Sequence, residues 1–453
     1  GGVVEYATEN YFMEHGSYSH KVGDETERVH HVLITDLIPN TTYHYRVTID
    51  GEPLDDHTFM TLGTEPFTFV VYGDTQGLAG VFTQMERHKL VADRIAEEEN
   101  VSFVIHTGDL VAFGDNLEYW DDFFNAGREM LSDTTIFPVL GNHEYNHANY
   151  YEAFGVPEWY SFDCGDAHFT MLDSNDWADM PAETEWLKED LESDASWKFV
   201  SFHHPPYSSD ASHWGGWLNI REYWEDIFIE NGVTAVFNGH VHVYERYLEN
   251  GIHYVVLGCG GAPCYFLAEE KYQGYQNSFE DTLGYARITV DEKQVVMDVI
   301  MVADVSDGIP YLYPPNTVFE TVILGGAPPP ANDMVGATAN VVMPMVGISL
   351  DRDAIDYGEV MPGHSSAEEV VTITNTVACD VSVTLEIETE TLVARDFYEH
   401  SLYIDDGTYD ISTVIAEIPV AQSEAVATQL RVPSNWTEAG THEATFIFWA
   451  EAH

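Results

Sequence analysis

Two histidines two positions apart, His240 and His242, close the run VTAVFNGHVH and could together hold a metal ion. In an extended segment residues i and i+2 project to one side, so both imidazoles can face a common point. Four further runs end in potential ligands: FTFVVYGD in Asp74, VSFVIHTGD in Asp109, TIFPVLGNH in Asn142-His143 and WKFVSFHH in His203-His204. A carboxylate has two oxygens and can bridge two cations about 3.5–4 Å apart, the spacing of two-metal hydrolytic sites. Ligation by Asp, Asn and His without thiolate suits Fe, Mn, Zn or Co rather than a structural zinc. Each motif alone is weak, because Gly-Asp dipeptides are common and a lone strand-end histidine is more often structural. Five such endings in one chain point to a binuclear metal site.

The elements that must position these residues are strands closed by tight glycine turns, which let the backbone bring ligands to a common centre. Residues 66–324 alternate apolar strand runs with amphipathic helical stretches such as TQMERHKLVADRIAEEE and PAETEWLKEDLESD, an α/β texture. Open sheets place their sites at strand ends. Residues 1–65 read as a small β domain, with HHVLITDLIPNTTYHYRV as strand, Pro-Asn turn, strand. The stretch GGAPPPAND opens a Pro/Gly linker over 325–340. Residues 341–453 carry only β texture, with short strands at regular spacing, and a β-sandwich without catalytic residues is expected there.

Composition narrows the function classes. The 453 residues hold 77 Asp+Glu against 17 Lys+Arg, a formal charge of −60. A surface that negative repels duplex nucleic acid and anionic membranes and suits high salt, divalent cations or an acidic cell envelope. No apolar run approaches the roughly 18 residues needed to span a bilayer, so membrane insertion is not expected. The sequence starts at Gly1-Gly2, consistent with a signal peptide removed or left out. Four cysteines, Cys164, Cys259, Cys264 and Cys379, are too few for a disulfide scaffold. Cys259 and Cys264 either bridge locally or stay free. Sequons at Asn40, Asn100 and Asn435 permit glycosylation.

In order along residues 70–246, the motifs GD, GD, GNHE, VSFH and GHVH followed by VYER resemble those of the calcineurin-like metallophosphoesterases, and within them the purple acid phosphatase branch. YSFDCGDAHFTMLDS (160–174) is similar to that family's strand pair between the third and fourth motifs. The N-terminal run resembles the fibronectin type III domain that precedes the catalytic domain in that branch, and IDYGEVMPG resembles immunoglobulin-like domains of surface proteins. The resemblance implies a multidomain chain: a central α/β phosphoesterase, built as a β-sandwich flanked by helices, between a fibronectin-like and an immunoglobulin-like domain.

It also implies roles. Asp74 and His242 would bind one metal, and Asn142, His203 and His240 the other, with Asp109 bridging. His143 would lie beside the substrate phosphate, and His213 stands where plant members carry a leaving-group histidine. His204, His106, His147 and His168 match no ligand position and are expected to serve as hydrogen-bonding partners. Two departures stand out. Ala112 occupies the position of the iron-binding tyrosine that gives the purple enzymes their colour. Gln76 occupies the place of a histidine ligand used in other branches; either it coordinates through its amide oxygen, the better candidate by position, or water fills the vacancy.

The implied function is hydrolysis of a small-molecule phosphate ester, first of all a monoester, outside the cytoplasm: extracellular, at the cell surface or in a periplasm-like space. Two metals would polarise the phosphoryl group and activate a water to attack phosphorus. His143 would stabilise charge, and His143 or His213 would protonate the leaving oxygen. The alternatives are a phosphodiesterase or nucleotidase on the same metals, and a surface or filament structural protein that retains the fold. VVEYATEN begins at residue 3, so the first hairpin of a fibronectin-like sandwich is missing. Either the domain is reorganised, or the chain is truncated, or a second chain donates the strand; self-association through the terminal β domains is one expected outcome.

Overall fold

Strand-forming runs that are apolar on both faces need cover on both, and that requirement shapes the central region. A computed structural model describes residues 2–23, 29–64 and 66–326, and beyond residue 347 the strands between Ile348 and Ala452. The expected linker (from residue 327), IDYGEVMPG, Cys379 and Asn435 lie outside the described residues. The chain divides into two compact units, Gly1–Ala327 and Pro328–His453.

The first unit opens with β1 (Gly2–Thr8), β2 (His20–Gly23), β3 (Thr42–Ile49) and β4 (Glu52–Met60) in one antiparallel sheet of order β2-β1-β3-β4. Side chains alternate across it. Tyr43 and Tyr45 share a face with Phe59, and the Tyr45 hydroxyl donates to Ser132 O at 2.6 Å. On the opposite face His44 stacks on Phe12 of the short helix Glu9–His15 at 4.1 Å. The backbone N–H of Thr58 in edge strand β4 donates to Asp133 Oδ1 at 2.6 Å. The described residues of this region form a single sheet with helical cover. β1, which carries VVEY, is paired on both sides, so no place stands vacant beside it for a donated strand.

The chain continues through β5 (Phe67–Tyr72), β6 (Val101–His106), β7 (Thr135–Pro138), β8 (Tyr160–Cys164), β9 (Ala167–Met171), β10 (Trp197–Ser201) and β11 (Ala235–Asn238). There follow β12 (Tyr244–Glu249), β13 (Ile252–Leu257), β14 (Tyr275–Phe279), β15 (Thr282–Val290), β16 (Gln294–Asp304), β17 (Tyr311–Leu312) and β18 (Val318–Gly326). One sheet has the order β14-β12-β13-β11-β10-β9-β8; the other runs β17-β16-β15-β5-β6-β7, with β18 on β16. Strands β5, β6 and β7 are parallel, as are β9, β10, β11 and β13.

The two sheets share an apolar core. Phe69, Val71, Phe103 and Ile105 from one meet Phe169, Phe199 and Phe237 from the other, with Phe69 edge-on to Phe169 at 5.1 Å. The alternate residues Val70, Tyr72 and Val104 pack outward on Val91, Ala92 and Ile95 of the helix His88–Ala96. Val200, Phe202 and Val236 pack on Ile220, Trp224 and Phe228 of the helical stretch Leu218–Glu230. The expected sandwich flanked by helices is present. Cys259 and Cys264 are free thiols, which decides the open question about that pair.

In the second unit the described strands form two antiparallel sheets. Ile348–Leu350, Glu369–Asn375, Ser423–Leu430, Leu402–Ile404 and Gly407–Thr408 make one, in that order. Val381–Glu388 lies between Val414–Ile418 and Thr445–Ala452 in the other.

Candidate metal centre

Five parallel strands deliver their C-terminal turns to one place. Asp74 follows β5, Asp109 follows β6, Asn142 follows β7, His203 follows β10, and His240 and His242 follow β11. Asp74, Asp109 and His240 have φ of 56°, 55° and 67°. Left-handed backbone at non-glycine residues is strained and clusters at functional sites. The turns also approach closely: a Cβ on Gly141 would stand 2.2 Å from the Asp109 nitrogen, and one on Gly239 would stand 2.3 Å from Asp74 Oδ2. Only glycine leaves room for the ligands.

The ligand atoms fall into two groups joined at Asp109. Asp74, Asp109 and His242 offer atoms within 4.8 Å of one another, with His242 Nε2 3.4 Å from Asp74 Oδ1. In the second group Asn142 Oδ1 lies 2.8 Å from His240 Nδ1 and 3.2 Å from His203 Nε2. Asp109 Oδ2 reaches across to His203 Nε2 at 3.3 Å. Gln76 Nε2 stands 3.2 Å from Asp109 Oδ2 and 3.4 Å from His242 Nε2, while its Oε1 is buried without a partner. The two ends of an amide are interchangeable in shape, so a half-turn sets the oxygen among those ligands. In that orientation the amide oxygen faces the Asp109 carboxylate and the His242 imidazole, an arrangement that fits a cation between them. The donor set as a whole, oxygen and nitrogen without sulfur, fits two metal ions of open identity.

The surroundings fix how the ligands point. His203 Nδ1 donates to Thr107 O at 2.8 Å and His242 Nδ1 to Pro263 O at 2.7 Å, so each Nε2 faces inward. The His240 backbone N–H donates to both Asp74 oxygens at 2.9 Å. Glu144, fully buried, accepts from the backbone N–H groups of Gly141, Asp109 and Val111 at 2.7, 3.0 and 3.3 Å. Sequence reasoning gave Glu144 no role, although it is the fourth letter of GNHE.

The local field is strongly negative. Burial alone would lower His203, but the Asp109 carboxylate and its hydrogen bond push it up to about 10. Burial pushes Glu144 up to about 8, with repulsion from Asp109 adding to it. The Asp109 carboxylate that favours the proton on His203 presents the same negative charge to a cation.

The remaining expected residues are placed as follows. The His143 backbone N–H donates to Asp109 Oδ1 at 2.9 Å, and its Nδ1 donates to Ala112 O at 2.8 Å, which turns Nε2 to within 3.9 Å of Asp109 Oδ2. His213 donates Nδ1–H to Asp210 Oδ2 at 2.7 Å, and its ring lies 5.2 Å from that of His240. His204 Nδ1 shares a hydrogen with Ser174 Oγ at 2.9 Å, although its ring also lies 4.5 Å from His240. His106 contacts Thr75 Oγ1 at 3.1 Å, His147 accepts from Asn149 N at 3.2 Å, and His168 sits between Asp163 and Asp190. These last three point away from the centre into hydrogen bonds.

Residues 67–244 match the family model described as calcineurin-like phosphoesterase. Among curated proteins, purple acid phosphatase 23 of Arabidopsis thaliana is 28% identical over 284 residues, 51% of this chain and 60% of that protein. Purple acid phosphatase 15 of the same plant is 29% identical, over 51% of this chain and 53% of that one. The match thus spans only part of each relative's length. Among solved structures, a purple acid phosphatase from yellow lupin (Lupinus luteus) seeds aligns with TM-score 0.58 and 19% identity, over 69% of this chain and 68% of its own. PhoD aligns with TM-score 0.55 and 16% identity, over 69% and 81%. At those identities the structural likeness is one of fold.

Proposed function

We propose that this chain, whose residues 67–244 are a calcineurin-like phosphoesterase domain, hydrolyses phosphate esters, monoesters first, outside the cytoplasm. The observation that carries the reading is the pair of ligand groups meeting at Asp109 Oδ2, with His143 Nε2 turned toward that same atom. In this reading Asp74, Gln76 and His242 would hold one metal and Asn142, His203 and His240 the other, with Asp109 shared between them. When bound, the metals supply charge neutralisation at the phosphoryl group and lower the pKa of water.

The chain's own residues do the rest. His143 is oriented by the Ala112 carbonyl, so its Nε2 is free to donate to a phosphoryl oxygen as charge builds there. His213 is oriented by Asp210, itself fixed by the backbone N–H groups of Ser212 and His213, each at 2.9 Å. That pairing fixes the ring with Nε2 turned away from Asp210, placed to give a proton to the departing oxygen. Asp and Asn ligands in rigid turns keep the site from rearranging during the reaction. An extracytoplasmic setting accords with the −60 charge and with the relatives being acid phosphatases by name. We read Gly2–Met60 as a reduced fibronectin-like element and the second unit as an immunoglobulin-like attachment domain.

The test is metal content measured alongside hydrolysis of a chromogenic monoester and the matching diester. Two metals per chain with faster turnover of the monoester is the expected result. Full metal occupancy without turnover of either ester would refute the hydrolase, and faster diester turnover would move the assignment to a phosphodiesterase.

A further inference from the structure

Beside His240 the run SHWGGWLN (212–219) builds a feature that metal binding leaves unused. The chain turns at Gly215 (φ +92°) and Gly216 (φ +72°), and a Cβ on Gly216 would stand 2.4 Å from the Pro206 carbonyl oxygen. Arg221 Nη2 donates to Gly215 O at 3.0 Å, and Gly215 N donates to Ser208 O at 2.8 Å, so the turn is held from both sides. It sets Trp214 and Trp217 around a cavity of about 400 Å³, completed by Ser212, His213, Leu218 and Asn219. The Trp217 ring stands 4.7 Å from that of His240 and stacks on His213 at 5.1 Å. Two of the cavity's lining rings, His213 and Trp217, therefore stand beside the candidate ligand His240.

Its lining is unusual for this chain. Trp214 is 50% exposed and Leu218 58% exposed, and both border this shallow, open site. No carboxylate lines it, although the chain carries a net charge of −60. A second cavity of similar size, bordered by Gly77, carries Glu86, Glu118 and Asp122 and would repel an anionic ester. Asn219 and Ser212 offer neutral donors and acceptors to the edge of a ring, and the indoles offer faces for stacking.

We propose that the Trp214–Trp217 cavity is the leaving-group subsite and takes a flat aromatic group, a nucleobase or an aryl ring. This rests on the phosphoesterase reading above, with the phosphoryl group at the metal centre. His213, which lines the cavity and whose ring lies 5.2 Å from that of His240, would then stand beside the ester oxygen.

The holoprotein is titrated with three non-hydrolysable probes: phenylphosphonate, the methylene phosphonate analogue of adenosine 5′-phosphate, and ethylphosphonate. The aromatic probes bind on the order of tenfold tighter than the aliphatic one, the scale of a single ring-stacking contact. Trp214→Ala abolishes that preference and Trp214→Phe restores most of it. The phenyl and adenosine arms distinguish an aryl from a nucleobase preference. Equal affinity for all three probes, or an unaltered preference in Trp214→Ala, overturns the subsite. Turnover is measured separately on phenyl phosphate and glycerol phosphate; its absence on both overturns the hydrolase, while the phosphonate preference still decides the subsite.

Discussion

Glu144 Oε2 accepts the backbone N–H of Asp109 at 3.0 Å, and through it the turn after β7 holds the turn after β6. The same side chain takes the N–H groups of Gly141 and Val111, so one carboxyl closes three backbone donors in a fully buried place. Glu144→Gln keeps the size but replaces one oxygen by an NH2 group that faces backbone N–H. Leaving a buried donor unpaired costs about 1–3 kcal/mol. The melting midpoint of the metal-stripped protein should fall by a few degrees. An unchanged midpoint would show that the three bonds do not hold the turns.

Asp109 and Gln76 should differ sharply on substitution. Asp109 Oδ2 touches both ligand groups and its charge offsets both cations, whereas Gln76 is a neutral amide beside one group. Asp109→Asn should lower turnover by more than about a hundredfold and cut metal content, and Gln76→Ala should cost roughly tenfold. Equal losses would make Gln76 a principal ligand.

That the candidate ligands lie at strand ends was legible in the sequence, because each strand announces itself by composition. Turns at Gly73, Gly108, Gly141 and Gly239 marked where those strands stop. What the sequence withheld is non-local. Glu144 works by meeting backbone donors on another turn, and backbone donors carry no letter. The pairing of β1 with β2 depends on the chain returning after the helix Glu9–His15, which periodicity does not report. The GG turn of SHWGGWLN was readable as a turn, but not that it would face His240.

Iron-loaded protein should lack the strong green absorption of a tyrosinate on ferric iron. Ala112 is nearly buried and offers only a methyl group and a carbonyl already taken by His143. A described alternative is Tyr265, whose ring stacks on that of His242 at 4.2 Å. If an intense band does appear and Tyr265→Phe removes it, that tyrosine has replaced the missing ligand.

The stability that the buried Glu183 carboxyl contributes should decline as pH rises from about 5 to about 9. Its side chain is fully buried, Oε1 accepts the Asp173 backbone N–H at 2.7 Å, and Oε2 has no partner. Burial pushes this carboxyl up to about 9 from 4.5, with repulsion from Asp173 and Glu158 outweighed in part by that hydrogen bond. Burial and Asp173 raise Glu158 to about 7 in the same direction. The native state therefore binds these protons more tightly than the unfolded chain. Its stability is full below pH 4.5 and erodes until the native groups themselves ionise. Glu183→Gln preserves the acceptor and removes the ionisation. Melting midpoints across pH should show the variant overtaking the wild type as pH rises, with the gap closing below pH 5. The loop at stake reaches the metal centre, because Ser174 Oγ contacts His204 Nδ1 at 2.9 Å and Asn175 Nδ2 donates to Leu140 O at 3.1 Å. Parallel curves for the two proteins would place the pH sensitivity elsewhere.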